Sequence, residues 1–265
     1  MNNTAGHALS KWGRVATALT FIIGLGATEL AWPDPIGELN SMSDPNTYQT
    51  NSTKLSLQQQ AVVVLAAFAA VGDMPRLNDA LNQALDVGLT VSELREVLIQ
   101  LYAYAGFPRS LNALTALMNV QESRKQRGIN DTMGRAPSRS IPQGDALLAA
   151  GTANQTKLSG SPVEGPLFDF APIANQFLRT HLFGDIFERD NVDWQTRELA
   201  TLGMLSALGG VEPQLQAHMK ISTNTGITVS QLRQLCQLLT EHADAAMGDR
   251  ARKALEQHLQ NINPA

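Results

Sequence analysis

Gly88-Leu89-Thr90-Val91-Ser92-Glu93-Leu94-Arg95 is written a second time, as Gly226-Ile227-Thr228-Val229-Ser230-Gln231-Leu232-Arg233. In each copy a glycine stops one helix, a threonine or serine caps the next, and the leucines begin its apolar face. The likeness extends in both directions. Gln59–Ala113 aligns without a gap onto Arg197–Ala251, at a constant offset of 138 residues, and Pro75 returns as Pro213. Within the first copy, Leu57–Ala70 reads as a helix broken by Gly72. Pro75 sits in the first turn of a second helix, whose stripe is Leu77, Leu81, Ala84 and Leu85. A third helix carries Leu94, Val97, Leu98 and Leu101; Gly106-Phe107-Pro108 interrupts it, and Ser110–Glu122 forms a fourth. Spacing stays near 3.6 throughout, with no sustained alternation of the strand kind. The fold class is therefore all-α, built as two tandem helical repeats.

Composition agrees. The chain has 265 residues, 43 % of them apolar but only 5 % aromatic, which suits helices packed closely through Ala and Leu. Net charge is −4, and the longest basic run is Arg124-Lys125-Gln126-Arg127. Nucleic acid is thus not an expected partner; a run of that size caps a helix or faces solvent. Cys236 is the one cysteine. It lies among Leu232, Leu235 and Leu239 and reads as a buried thiol, and neither a disulfide nor a Cys-x-x-Cys redox pair can form within one chain.

The ends and joints divide the chain further. Lys11 and Arg14 precede the apolar stretch Val15–Leu30, with small residues before Pro33, so residues 1–31 read as a cleaved signal peptide. An apolar arm and a retained anchor are the alternatives; Glu29 and the interspersed threonines and glycines make a weak span, and no stable span is expected in the mature form. Cleavage would place the protein in the periplasm or outside the cell; without it the protein is cytoplasmic. Residues 32–54 form a polar linker, 55–126 the first repeat, 127–165 a second linker with a short helix over 145–150, and 166–260 the second repeat. That last unit holds a leading helix, Ile173–Phe187, a helix Trp194–Ala207 capped by Asp193, and a long final helix, Val229–Ala246, with a polar interruption at Glu241–Asp244.

The two copies differ in one respect that bears on chemistry. Where the first has Gln59, Gln60 and Ala80, the second has Arg197, Glu198 and His218. Glu198 lies on the side of Leu202 and Leu205 and joins or borders the buried stripe, where a carboxylate needs a partner. His218 shares a face with Leu215, Met219 and Ser222. The helices bearing Glu198 and His218 are joined by a turn at Gly209-Gly210, should run antiparallel, and so bring the two side chains together. Arg197 points about 100° away from Glu198 and reaches the same pocket from its rim. His181 on the leading helix, Tyr104, and His242 at the position equivalent to Tyr104 are secondary pocket candidates. No metal-binding spacing is present, and no cofactor is expected.

Leu101-Tyr102-Ala103-Tyr104-Ala105-Gly106-Phe107-Pro108 resembles the tyrosine-alanine-glycine-phenylalanine-proline signature of the carboxymuconolactone decarboxylase family. His181-Leu182-Phe183-Gly184-Asp185-Ile186, followed by Arg197-Glu198-Leu199, resembles that family's leading and core helices. The likeness covers Leu55 to Leu259. It implies an alkylhydroperoxidase (AhpD)-like helical bundle, here a pseudo-symmetric pair of modules, and a homo-oligomer with clefts between helical units. The family's arginine-glutamate-leucine pattern and downstream histidine fall on Arg197, Glu198, Leu199 and His218. The peroxidase branch works through a Cys-x-x-Cys pair, which this chain lacks. The chain departs from the family pattern where Ala243-Asp244-Ala245-Ala246 stands in place of a second glycine-phenylalanine-proline.

The resemblance implies a small unsaturated, carboxylated lactone as substrate. In that reaction His218 would deliver a proton, Glu198 would hold the imidazole's tautomer, and Arg197 would anchor a carboxylate. The alternatives are a non-catalytic protein binding or scaffolding around a small acidic or apolar ligand, another lactone- or enol-processing reaction, and an AhpD-related oxidoreductase without the peroxidase cysteines.

Overall fold

A computed structural model describes residues 53–262. The expected signal peptide, 1–31, and nearly all of the polar linker, 32–54, lie outside the described residues. Among those described, regular structure is helical, with no strand, and no helix is long and apolar enough to cross a membrane.

Local chemistry sets the helix ends. Ser56 opens α1 (Leu57–Val71) with a capping box to Gln59, and Gly72 closes it at φ 70°. Asp73 accepts a hydrogen bond from the Arg76 N–H and starts α2 (Met74–Asp86), with Pro75 in its first turn. Thr90 caps α3 (Val91–Gln100) in a second capping box, with Glu93; such a cap contributes about 1 kcal/mol. α4 (Tyr102–Gln126) is broken at Gly106, whose φ of 80° suits a residue without a Cβ. In the second half, Asp193 caps α8 (Trp194–Ala207), Pro213 stands in the first turn of α9 (Glu212–Asn224), and a Thr228–Gln231 capping box opens α10 (Val229–His242). The chain turns at Ala243 and ends in α11 (Ala245–Ile262). The long final helix expected over Val229–Ala246 is thus two helices. Its polar interruption is a true break, at the position where the first copy has Gly106.

The repeat register survives folding. α2 and α9 start 138 residues apart, at Met74 and Glu212, and end 138 apart, at Asp86 and Asn224. α1 and α8 pack against each other at the centre of one continuous hydrophobic core drawn from both repeats. Every residue from Arg197 to Ala207 is buried. The helices approach closely at Gly203, where a Cβ would run into the Val63 carbonyl.

The segment between the repeats is more ordered than a linker. α5 spans Asp145–Ser159, well past the expected Ala150. At Gly151, where a Cβ would run into it, α5 sits directly on the Arg179 backbone carbonyl. Beyond the short helices α6 (Pro166–Phe170) and α7 (Pro172–Phe177), the leading helix widens into a π-helical segment, Leu178–Ile186. Asn154 of α5 donates to the Phe183 carbonyl there, at 2.9 Å. Leu182, Phe183, Ile186 and Phe187 then form a second, smaller apolar cluster with Leu158 and Ile221, against which Tyr102 and Tyr104 pack. The basic run also departs from expectation at one residue. Arg124 is buried and bonded to Asp131 at 2.9 Å and Asp86 at 2.8 Å, where it ties α4 to α2.

Candidate active site

Glu198 belongs to the central helix α8 and is fully buried; His218 lies on α9 with 7 % of its surface exposed. The turn at Gly209-Gly210 folds α9 back along α8, and His218 Nδ1 comes to 2.7 Å from Glu198 Oε2. An ionised carboxylate only accepts, so the proton between them sits on Nδ1 and Nε2 is the nitrogen able to take up or give a proton. Among the described residues no cluster of three or more His, Cys, Asp or Glu side chains is arranged to hold a metal ion.

A third side chain reaches this pair from the first repeat. Tyr104, just before the Gly106 break, stands edge-on to the His218 ring, with centroids 5.6 Å apart and planes at 76°. Burial, and then the charge of Glu198, push its phenol well above the usual value, so it stays protonated at neutral pH. On the other side of the same turn, Tyr102 stacks flat on Phe107 at 4.6 Å.

Arg197 does not stand at the rim. It is 0 % exposed, and its guanidinium is engaged by protein: Nη2 donates to Glu96 Oε2 at 3.2 Å and to the Arg189 carbonyl at 2.9 Å, and Nη1 donates to Gln100 Oε1 at 3.2 Å. Arg189 grips the same Glu96 with two hydrogen bonds, of 2.8 and 2.7 Å. Burial draws the Arg197 guanidinium below its usual value, against the pull of Glu96. Burial alone would raise Glu96, but the Arg189 hydrogen bonds and the two arginine charges outweigh it and hold the carboxyl below the ordinary range. The rim expectation failed because α3 of the other repeat covers the side of α8 that the sequence alone leaves open.

Two further candidates remain, His181 and His242. His181 pairs with Asp185 at 3.0 Å on the exposed side of the π-helical segment and touches Phe177. His242 lies in the last turn of α10. A cleft of about 460 Å³ between α10 and α11 is lined by Cys236, Arg233 and Arg252, and another of about 520 Å³ between α9 and α11 holds Lys220, Thr223 and His258. Glu198 and His218 line neither.

Sequence reasoning missed Glu96, Gln100 and Thr201. Gln100 Nε2 donates to Thr201 Oγ1 at 2.8 Å and to the Arg197 carbonyl at 3.0 Å, which fixes α3 to the turn of α8 that carries Glu198. The repeat contained a signal for part of this. Thr201 and Ser222, both fully buried, stand where the first copy has Val63 and Ala84.

The carboxymuconolactone decarboxylase family profile matches residues 45–118 and 172–257, together more than half of the chain. The chain belongs to this family. Similar proteins include an uncharacterized protein of Methanocaldococcus jannaschii, 31 % identical over 67 residues, a match covering 25 % of this chain and 63 % of that protein. A 4-carboxymuconolactone decarboxylase of Acinetobacter baylyi is 32 % identical over 69 residues, which cover 26 % of this chain and 51 % of that enzyme. The chain spans less than two thirds of the length of either relative. Both family segments contain a core helix of the central pair, α1 in one and α8 in the other; only the second carries the glutamate and histidine.

Proposed function

We propose that the protein is a lyase that removes carbon dioxide from a small, carboxylated, unsaturated lactone, with Glu198 and His218 as its acid–base pair. The observation that carries this reading is the buried 2.7 Å contact between His218 Nδ1 and Glu198 Oε2. A carboxylate so placed fixes the imidazole's tautomer and orientation and leaves Nε2 as the nitrogen that can hand a proton to carbon. Membership of the decarboxylase family and the likeness to the Acinetobacter enzyme supply the reaction class. Arg197 acts here as a positioning residue, because both of its terminal nitrogens are bonded to protein, Nη1 to Gln100 and Nη2 to Glu96 and the Arg189 carbonyl.

The test is direct. Purified full-length protein is given 4-carboxymuconolactone, and carbon dioxide release is followed alongside loss of the lactone. The reading expects catalysed release, reduced about 100-fold or more in Glu198→Gln. No release above the uncatalysed rate would overturn it for this substrate. The near-complete enclosure of His218 favours a second reading, a protein that holds a small acidic ligand without converting it. Saturable binding of the lactone with no carbon dioxide released would establish that reading instead.

A further inference from the structure

Three buried polar atoms around the Glu198–His218 pair have no hydrogen-bond partner: Glu198 Oε1, the Tyr104 hydroxyl and Ser222 Oγ, the last one helical turn beyond His218. Leaving a buried hydroxyl unpaired costs about 1–3 kcal/mol, and such a cost persists where a ligand completes the set. Tyr104 is the most telling of the three. Its phenol lies beside Thr201 and Glu198 of α8. The Thr201 hydroxyl donates to the Arg197 carbonyl at 3.0 Å and accepts from Gln100 Nε2 at 2.8 Å, so its one remaining lone pair is the internal acceptor that competes for the phenol. Tyr104 brings a protonated, buried hydroxyl that makes no well-formed hydrogen bond up to the imidazole, from a different repeat than the pair itself.

We infer that Tyr104 donates its hydrogen bond to the substrate oxygen that becomes negative as carbon dioxide leaves. This restricts the substrate class to compounds whose carbonyl is conjugated with the carboxyl-bearing carbon. The inference rests on the acid–base reading of Glu198 and His218. In the step, the bond between ring carbon and carboxylate carbon breaks and carbon dioxide departs. The electron pair moves through the double bond onto the lactone carbonyl oxygen. The charge then returns to carbon as the His218 imidazolium delivers its proton there, and solvent reprotonates the histidine. Tyr104 keeps its own proton throughout. A donor preorganised in a water-poor site is most effective where charge develops, and weaker toward the neutral ground-state carbonyl. The first repeat supplies this one group although it has lost its own glutamate and histidine, which accounts for a tyrosine at 104 where the second copy has His242.

The experiment compares full-length wild type with Tyr104→Phe by calorimetric titration. The probes are tetronate, a five-membered lactone that is an enolate at neutral pH, and the neutral parent butenolide. Melting temperatures are taken in parallel. Wild type should prefer tetronate, and Tyr104→Phe should lose about 10- to 100-fold of that preference with no fall in Tm. Equal preference in the two proteins would overturn the inference, as would failure of wild type to bind tetronate. A lower Tm in Tyr104→Phe would also overturn it, by assigning the hydroxyl to Thr201 as an internal partner. The underlying reading fails separately. If carbon dioxide release falls in Glu198→Gln while tetronate preference is unchanged in Tyr104→Phe, only the tyrosine's role is lost. If wild type releases none yet tetronate binding depends on Tyr104, the anion donor stands and the decarboxylation falls.

Discussion

His218 stands at the position where the first repeat has Ala80, and Glu198 where it has Gln60. Those two side chains mark the half that carries the proposed acid–base pair, and that much could be read before folding. Arg197 could not. Helical geometry puts it about 100° from Glu198, but on a helix covered from every side that direction leads to Glu96 and away from solvent. Cys236 follows its sequence context closely: it is 6 % exposed, and burial pushes its thiol up to about 12. Only the thiolate is nucleophilic, so at pH 8 a disulfide reagent should modify Cys236 in denaturant and spare it in the native protein. Rapid native modification would show that the cleft between α10 and α11 opens to reagents more widely than the structure has it.

At the level of elements, α3 and α8 are held by charge as well as by packing. Glu96 binds Arg189 and Arg197 together, and its carboxyl lies below the usual value near 4.5. A carboxylate depressed by folding stabilises the native state fully above its unfolded value and ceases to do so as pH falls through the folded one. Unfolding monitored from pH 7 downward should therefore show stability falling below about pH 4.5, and Glu96→Gln should flatten that limb. At neutral pH the same variant should lose about 3–5 kcal/mol, because it strands the buried Arg197 charge. An unchanged acid limb would place the pH dependence elsewhere. Glu96 escaped notice in the sequence because a glutamate beside Val97 reads as a helix flank; its partners sit 93 and 101 residues away. The same non-locality hid the second half of α5 and the π-helical segment. Gly151 breaks an isolated helix, but in the folded chain it is the contact that seats α5 on the Arg179 carbonyl.

At the scale of the described residues as a whole, two copies of one helical unit share a core across α1 and α8, and the candidate site draws on both copies. Periodicity and the 138-residue offset disclosed the doubled all-helical plan because both are local properties of the chain. Which faces of the copies meet is not local, and neither is the pairing of Tyr104 with His218. The shared core also separates two meanings of the buried pair. A structural pair should respond to mutation in stability, and a catalytic one in turnover. The decisive measurement is a double-mutant cycle on kcat/KM for carbon dioxide release, using Glu198→Gln, His218→Ala and the combination, with Tm recorded for each. If the two residues act as one acid–base unit, each single variant should lose about 100-fold or more, and the double variant little beyond the worse single. Tm should stay within a few degrees. Additive losses, or single variants that unfold while their folded fraction turns over normally, would contradict the account.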